Sequence, residues 1–173
     1  MTPANSLARD IRRIVIERSK AADVVHIGSC LCVADILAVL YAEVLAGQDP
    51  DDPERDRFVL SKGHAGLALY AALARTDRLS EASLEQFGVD GSALAVHPER
   101  VLPGVDFTTG SLGHGLTYAA GAALAARMDG SPRRTFALLS DAECNAGSLW
   151  EAVMFAAQKI GRASCRERVL DHV

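Results

Sequence analysis

The sequence predicts an α/β protein in which helices cover both faces of a mostly parallel sheet. The 173-residue chain is 49% hydrophobic but only 5% aromatic, so Ala, Leu and Val supply most of its apolar content, which favours helices packed on a sheet. Short β-prone runs at residues 58–60 and 135–139 are each followed by a turn and a helical pattern. Together these observations predict a three-layer, doubly wound domain that buries about 70% of the surface of its unfolded chain.

The chain opens with two predicted helices. Leu7, Ile11, Ile14 and Val15 share one helical face, and a stronger apolar repeat runs from residue 33 to residue 44. Glycine and the proline-rich loop at residues 49–53 end the second helix. Between the helices, residues 23–29 form a predicted break that carries His26 beside a glycine.

In the middle of the chain, the sequence pattern predicts a phosphate-binding turn followed by a binding loop. The strand at residues 58–60 leads into a glycine-rich turn at residues 61–66, which contains His64, and then into a helix over residues 67–74. Ser80 is a predicted N-cap of a short helix through residue 87. Residues 88–113 are too apolar for disorder and too long for a simple connection, so we interpret them as a binding loop.

The second half predicts a helix, a buried strand and another helix. The small residues of the helix at residues 114–128 allow close packing, either at a subunit interface or in an ordinary core. The strand at residues 135–139 leads to Asp141, and Ser148 and Glu151 have the spacing of a capping box for the last helix. That helix has a predicted apolar stripe of Leu149, Val153, Ala156 and Ala157. A carboxylate at the carboxyl end of a strand, facing a helix N-terminus, makes Asp141 the first candidate site residue.

Charge and composition argue against several functions. The net charge of −4, with dispersed Lys and Arg, predicts neither a nucleic-acid partner nor a membrane partner. The longest run of small apolar residues, 116–126, is too short to span a bilayer, and we expect a cytoplasmic protein. Four cysteines without paired C-x-x-C spacing predict buried, reduced thiols.

Five segments, in order along the chain, together resemble the transketolase family. They are DVVHIGS (residues 23–29), LSKGH (60–64), HPE (97–99), GVDFTTGSLGHG (104–115) and LSDAECNAGS (139–148). The resemblance is strongest to the split bacterial form, in which the N-terminal, diphosphate-binding half is a separate chain. It covers residues 7–159 and implies one partial domain at residues 1–159, with the thiamine diphosphate-binding fold incomplete at its C-terminus.

The resemblance implies an enzyme that uses thiamine diphosphate and Mg²⁺ to move a two-carbon ketol unit between sugar phosphates. It assigns Asp141 to the metal, His64 to the diphosphate and reacting centre, and His26 and His97 to the substrate. The remaining residues that it places against the cofactor are Ser29, Gly110, Ser111, Leu112 and Ala142.

The resemblance also implies a partner. In the family, the glutamate that activates the aminopyrimidine of the cofactor belongs to the other domain, across a dimer interface. We therefore expect a homo- or hetero-oligomer that contains a C-terminal transketolase half, and we expect the chain alone to be inactive.

Three departures from the family pattern stand in the C-terminal third. Ala142 replaces a glycine, which would cost on the order of 1 kcal/mol if that residue needed a positive φ. Ala146 replaces a glutamate of the dimer contact. Residues 161–169 have neither the expected strand pattern nor the second metal-binding asparagine. Residues 160–169 can also be back-translated into a common sequencing adapter, so we interpret residues 160–173 as a non-native tail.

Two alternatives remain open for the function. The chain could be a non-catalytic remnant that keeps a dimerisation surface, an interpretation motivated by Ala142, Ala146 and the missing strand. The related deoxyxylulose-phosphate synthase is a second enzyme candidate, although the loop at residues 108–115 fits transketolase better.

Overall fold

A computed structural model describes residues 2–23, 26–47 and 49–160, together with the backbone of residues 169–170. The predictions for the rest of the C-terminal tail, including Cys165, lie outside the described residues. The helices are α1 (Pro3–Ala22), α2 (Ile27–Cys32), α3 (Ala34–Val39), α4 (Gly66–Arg75), α5 (Glu81–Glu85), α6 (Gly115–Met128) and α7 (Gly147–Lys159), and the strands are β1 (Arg57–Leu60), β2 (Thr135–Leu138) and β3 (Val169–Leu170).

The three strands form one parallel sheet in the order β1-β2-β3. Arg57 pairs with Thr135 and Leu60 with Leu138, so β1 and β2 end together. This parallel pairing confirms the predicted sheet. The short strand β3 corrects the prediction that residues 161–169 contain no strand, since Val169 pairs with Ala137.

Helices cover both faces of the sheet, which confirms the predicted three layers. Side chains alternate along a strand, and Phe58 and Leu60 accordingly lie in the same apolar cluster as buried residues of α1, α3 and α4. Val59, between them, lies in a second cluster with Leu116 of α6 and Leu149 of α7.

The predicted start of α7 is wrong. The helix begins at Gly147 and its N-cap position is Ala146, which makes no side-chain cap hydrogen bond. The hydroxyl of Ser148 instead donates to the carbonyl of Gly113, at 2.9 Å, so a tertiary contact replaces the capping box. The predicted stripe is also partly wrong, because Val153 and Ala157 are exposed while Leu149, Ala152 and Ile160 are buried.

Helix boundaries in the first half differ from the prediction at three places, one of which is the end of α5, at Glu85 and not at residue 87. Gly28 and Ser29 lie inside α2 and not in a break, and the helix predicted over residues 33–44 is α3 followed by a π-helical turn at Leu40–Val44. The amphipathic first helix and the N-cap at Ser80 are confirmed, since the Ser80 hydroxyl accepts from the N–H of Ser83.

The structure tests the burial predicted for the small residues of α6 and for the cysteines. The small residues Ala119, Ala120, Ala123 and Ala126 of α6 are buried within this chain, which supports the core interpretation. The prediction of buried thiols holds for Cys30, whose pKa is raised by burial, but is wrong for Cys32, which is exposed, and for Cys144, which is half-buried. Within the described ranges, no helix has both the length and the hydropathy needed to cross a membrane.

Candidate functional site

The segments that follow β1 and β2 lie together at one edge of the sheet. The N–H of Ser61, just after β1, donates to the carbonyl of Leu138 at 2.9 Å, so the chain leaves both strands at the same level. A 3₁₀ helix at Gly63–Ala65 follows β1 and another at Ala142–Asn145 follows β2. We call this the carboxyl edge. It is where open α/β sheets bind their ligands.

The three predicted histidines lie in one neighbourhood. The ring centroids of His26 and His64 are 5.3 Å apart. A Cβ added to Gly110 would approach the His97 ring to 3.3 Å, so the residue 110 loop lies against that histidine. His26 has a φ of 72°, in the left-handed region, which costs a non-glycine residue about 1–2 kcal/mol. Such strain is typical of functional positions.

His64 is surrounded by positive charge as well as by protein. Burial, followed by the charges of Lys62, His26 and His97, lowers the pKa of His64, and the carboxylate of Glu143 opposes this only in part. A lowered pKa keeps the imidazole neutral near pH 7, where one ring nitrogen can accept a hydrogen bond and the other can donate one.

Backbone segments pack closely around the site. A Cβ on Gly63 would lie 2.7 Å from the carbonyl oxygen of Thr109, so the segment after β1 touches the loop that precedes α6. Gly113, with a φ of +85°, would place a Cβ 2.5 Å from that of Ala146. Glycine is therefore required at both positions for the loop to reach the carboxyl edge.

Asp141 has the exposure expected of a metal ligand, because its side chain is open to solvent and forms no hydrogen bond or ion pair with any described residue. Its carboxylate suits Mg²⁺, which prefers oxygen ligands and usually takes one or two carboxylates from the protein. The described residues bring together no group of three or more His, Cys, Asp or Glu side chains. In this part of the chain Asp141 is the candidate carboxylate ligand for Mg²⁺.

The remaining candidates differ in their exposure. Ser29 is half-buried in α2, whereas Gly110, Ser111 and Leu112 are exposed before α6. Ala142 begins the 3₁₀ helix after Asp141 and is not among the described residues with a positive φ. The cost considered for alanine at that position therefore does not arise.

Two charged residues of the site received no role in the sequence analysis. Lys62 is 7% exposed, and its ammonium group donates to the Cys32 sulfur at 3.4 Å. Glu143 is 0% exposed and accepts hydrogen bonds from several segments. Both belong to segments that carry the resemblance. For Lys62 the available signal was its position just after β1, whereas the sequence carries no comparable signal for the burial of Glu143.

A three-layer domain with histidines and an unpaired carboxylate at the carboxyl edge has the architecture of a binding domain for a phosphorylated ligand. The thiamine diphosphate binding domain of transketolase matches residues 4–162. The chain therefore belongs to the transketolase family, as its N-terminal thiamine diphosphate-binding domain.

Relatives of two kinds support this assignment. The 6-deoxy-6-sulfo-D-fructose transketolase subunit SqwG of Clostridium sp. (strain MSTE9) is 41% identical over 152 residues, which are 86% of this chain and 55% of that protein. The human transketolase is also 41% identical, over 24% of its length. A crystal structure of the Campylobacter jejuni transketolase has a TM-score of 0.82 at 30% identity, covering 91% of this chain and 26% of that one. The chain thus spans about half the length of the subunit-type relative.

Proposed function

We propose that the chain is the N-terminal part of a transketolase that transfers a two-carbon ketol unit between sugar phosphates. Thiamine diphosphate would supply the carbanion chemistry. The observation that carries the proposal is the convergence of His26, His64 and Asp141 at the carboxyl edge, within a domain of this family. We also propose that the protein is located in the cytoplasm.

The proposed roles of the side chains are those that the family resemblance implies, and their positions support these roles. Asp141 would hold Mg²⁺ against the diphosphate, and the backbone of residues 110–112, with Ser29 and Ala142, would line the cofactor. His64, held neutral near pH 7 by its surroundings, can hydrogen-bond a phosphate oxygen or a substrate hydroxyl. His26 and His97 would face the sugar and move protons to or from its hydroxyl groups.

Catalysis would also require a C-terminal partner chain. The outer face of α7 supports such an association, because Trp150, Met154 and Phe155 are 55%, 65% and 41% exposed. Exposed apolar side chains at neighbouring positions of one helix are compatible with an interaction surface. Relatives whose names mark them as one component of a larger transketolase, such as an apulose-4-phosphate transketolase component of Phocaeicola vulgatus at 38% identity, support a two-chain enzyme.

Calorimetry with thiamine diphosphate and MgCl₂ tests the binding role. We expect Mg²⁺-dependent binding by the wild-type chain and at least about tenfold weaker binding by Asp141→Asn. Asp129→Asn is the matched control, because Asp129 is an exposed carboxylate at the end of α6 that pairs with Arg133. Equal affinity in wild type and Asp141→Asn would contradict the proposal.

The non-catalytic remnant is the second candidate, and Ala146, which stands where the family has a glutamate of the dimer contact, favours it. It predicts no thiamine diphosphate binding by wild type or by Asp141→Asn. For the enzyme itself, we expect ketol transfer between sugar phosphates when the chain is combined with a C-terminal transketolase half. Condensation of pyruvate with glyceraldehyde phosphate would instead favour the related deoxyxylulose-phosphate synthase.

A further inference from the structure

The carboxylate of Glu143 is buried among hydrogen-bond donors that come from three different segments. Its Oε1 atom accepts from the hydroxyl of Ser61 and, at 2.8 Å, from the N–H of Gly113. Its Oε2 atom accepts from the N–H of Ser140 at 2.9 Å and from the hydroxyl of the same serine at 3.2 Å. Four donors therefore converge on a side chain with no solvent exposure.

Each of these donors lies next to a candidate binding residue. Ser61 precedes Lys62 and is three residues from His64. Gly113 directly follows the exposed loop at residues 110–112. Ser140 immediately precedes Asp141. A single carboxylate thus joins the segment after β1, the loop before α6 and the segment after β2.

We propose that Glu143 is a positioning residue, which fixes the spacing between these three segments so that they bind the cofactor together. The inference rests on the proposed thiamine diphosphate site and adds a residue that does not itself contact the ligand. Glu143 lies inside the 3₁₀ helix, beneath the exposed residues Asp141 and Ala142. It therefore acts through the segments that it holds.

Packing alone does not explain why a carboxyl side chain occupies this buried position. None of the ion pairs found among the described residues involves Glu143, so uncharged donors replace its water shell. Burying a carboxylate is expensive unless it is fully hydrogen-bonded. An apolar residue would fill the space with a smaller desolvation penalty, but it would leave the N–H groups of Gly113 and Ser140 without a hydrogen-bond acceptor.

A carboxylate can accept a hydrogen bond at each of its two oxygen atoms, which glutamine cannot do. The N–H groups of Gly113 and Ser140 bind different oxygens of Glu143 and cannot reverse direction. Glutamine has the same shape but only one acceptor oxygen, and its NH₂ group would face one of these N–H groups in either orientation. Glu143→Gln is therefore nearly isosteric and yet breaks the connection between two segments.

The test measures three quantities for wild type and Glu143→Gln in the full 173-residue chain. They are the free energy of unfolding in urea, the dissociation constant for thiamine diphosphate in excess MgCl₂, and amide hydrogen exchange at Gly113 and Ser140. We expect the dissociation constant of the folded variant to rise about 10- to 100-fold, the range seen for residues that orient ligand-binding groups. Exchange should accelerate at one or both amides.

Glu85→Gln is the matched control, since Glu85 is an exposed glutamate on α5 in a surface ion pair with Arg18. It should change none of the three quantities. Ser61→Ala is a milder second variant, which removes one donor and leaves the two N–H bonds in place. It should raise the dissociation constant less than Glu143→Gln, and it decides the question if Glu143→Gln does not fold.

The outcomes separate the two proposals. If wild type binds the cofactor and Glu143→Gln lowers stability but binds equally well when folded, the role of Glu143 is structural and the inference is overturned. If Glu143→Gln is unfolded, equal binding by Ser61→Ala and wild type overturns it. Absence of binding by wild type overturns the proposed function, and this inference falls with it.

Discussion

The two ends of β1 and β2 both bury carboxylates, but with opposite kinds of partner. At the amino ends, arginines surround them: Asp106 binds Arg55 at 2.7 Å, and Asp56 binds Arg134. At the carboxyl edge, Glu143 binds only uncharged donors, while Lys62 and the histidines remain outside any ion pair among the described residues.

The difference separates fold stability from binding. An arginine–carboxylate pair satisfies both charges within the protein, as at Asp106, which also accepts from the N–H of Phe58 at 3.0 Å. The carboxyl edge instead keeps Asp141 and three histidines available to a ligand. Substitutions at the amino ends should therefore change stability, whereas those at the carboxyl edge should change binding as well.

Asp106→Ala should give the largest effect on stability. The side chain of Asp106 is 7% exposed and pairs with Arg55, whose side chain is 11% exposed, so its removal leaves a largely buried guanidinium without its carboxylate. We expect the free energy of unfolding to fall by about 3–5 kcal/mol. Urea denaturation measures it, and Asp129→Ala, with a side chain 61% exposed, is the control. A loss as small as that of the control would remove the contrast between the two ends.

Gly115→Ala should give a smaller loss of stability together with a loss of binding. A Cβ on Gly115 would lie 2.3 Å from the hydroxyl oxygen of Ser61 and 2.6 Å from its Cα, so the backbone at the carboxyl edge would have to move. We expect a destabilisation of about 1–3 kcal/mol, measured in urea, and weaker thiamine diphosphate binding by the folded variant.

Gly121→Ala is the matched control for this substitution in the same helix. A Cβ on Gly121 meets no atom within 4 Å, so alanine there should stabilise α6 by about 0.5–1 kcal/mol. Equal effects of the two substitutions would show that helix propensity, and not the contact with Ser61, decides the outcome at Gly115.

The sequence predicts the layers of this domain better than the connections at its site. Periodicity predicts α1, which buries one apolar face, and short apolar, β-prone runs predict β1 and β2. It fails at α7, where Ser148 has the spacing of a capping residue but binds the carbonyl of Gly113, 35 positions earlier. A local motif cannot reveal that a distant acceptor competes for the same hydroxyl.

Glu143 shows the same limit for charge. In the sequence it is an acidic residue in a polar turn, where solvent exposure is the ordinary expectation. Its burial depends on donors from Ser61 and Gly113, which come close only when β1 and β2 pair. The histidines were predictable because motifs of the family carry them, whereas the residue that holds their segments together depends on tertiary structure.

The smallest predicted effect concerns the protonation of His64. Burial and the neighbouring positive charges, Lys62 first among them, lower its pKa in the folded state, so between this value and the unfolded value of about 6.5 the unfolded chain binds more protons. The stabilising contribution of neutral His64 is therefore complete above about pH 6.5 and is lost as the pH falls toward the folded pKa. NMR titration of the histidine ring protons, assigned with His64→Gln, measures the shift. Lys62→Met should raise the pKa of His64, because it removes a neighbouring positive charge. The control Lys159→Met, at the exposed end of α7, should leave this pKa unchanged. If Lys62→Met also leaves it unchanged, the charge of Lys62 does not act on His64.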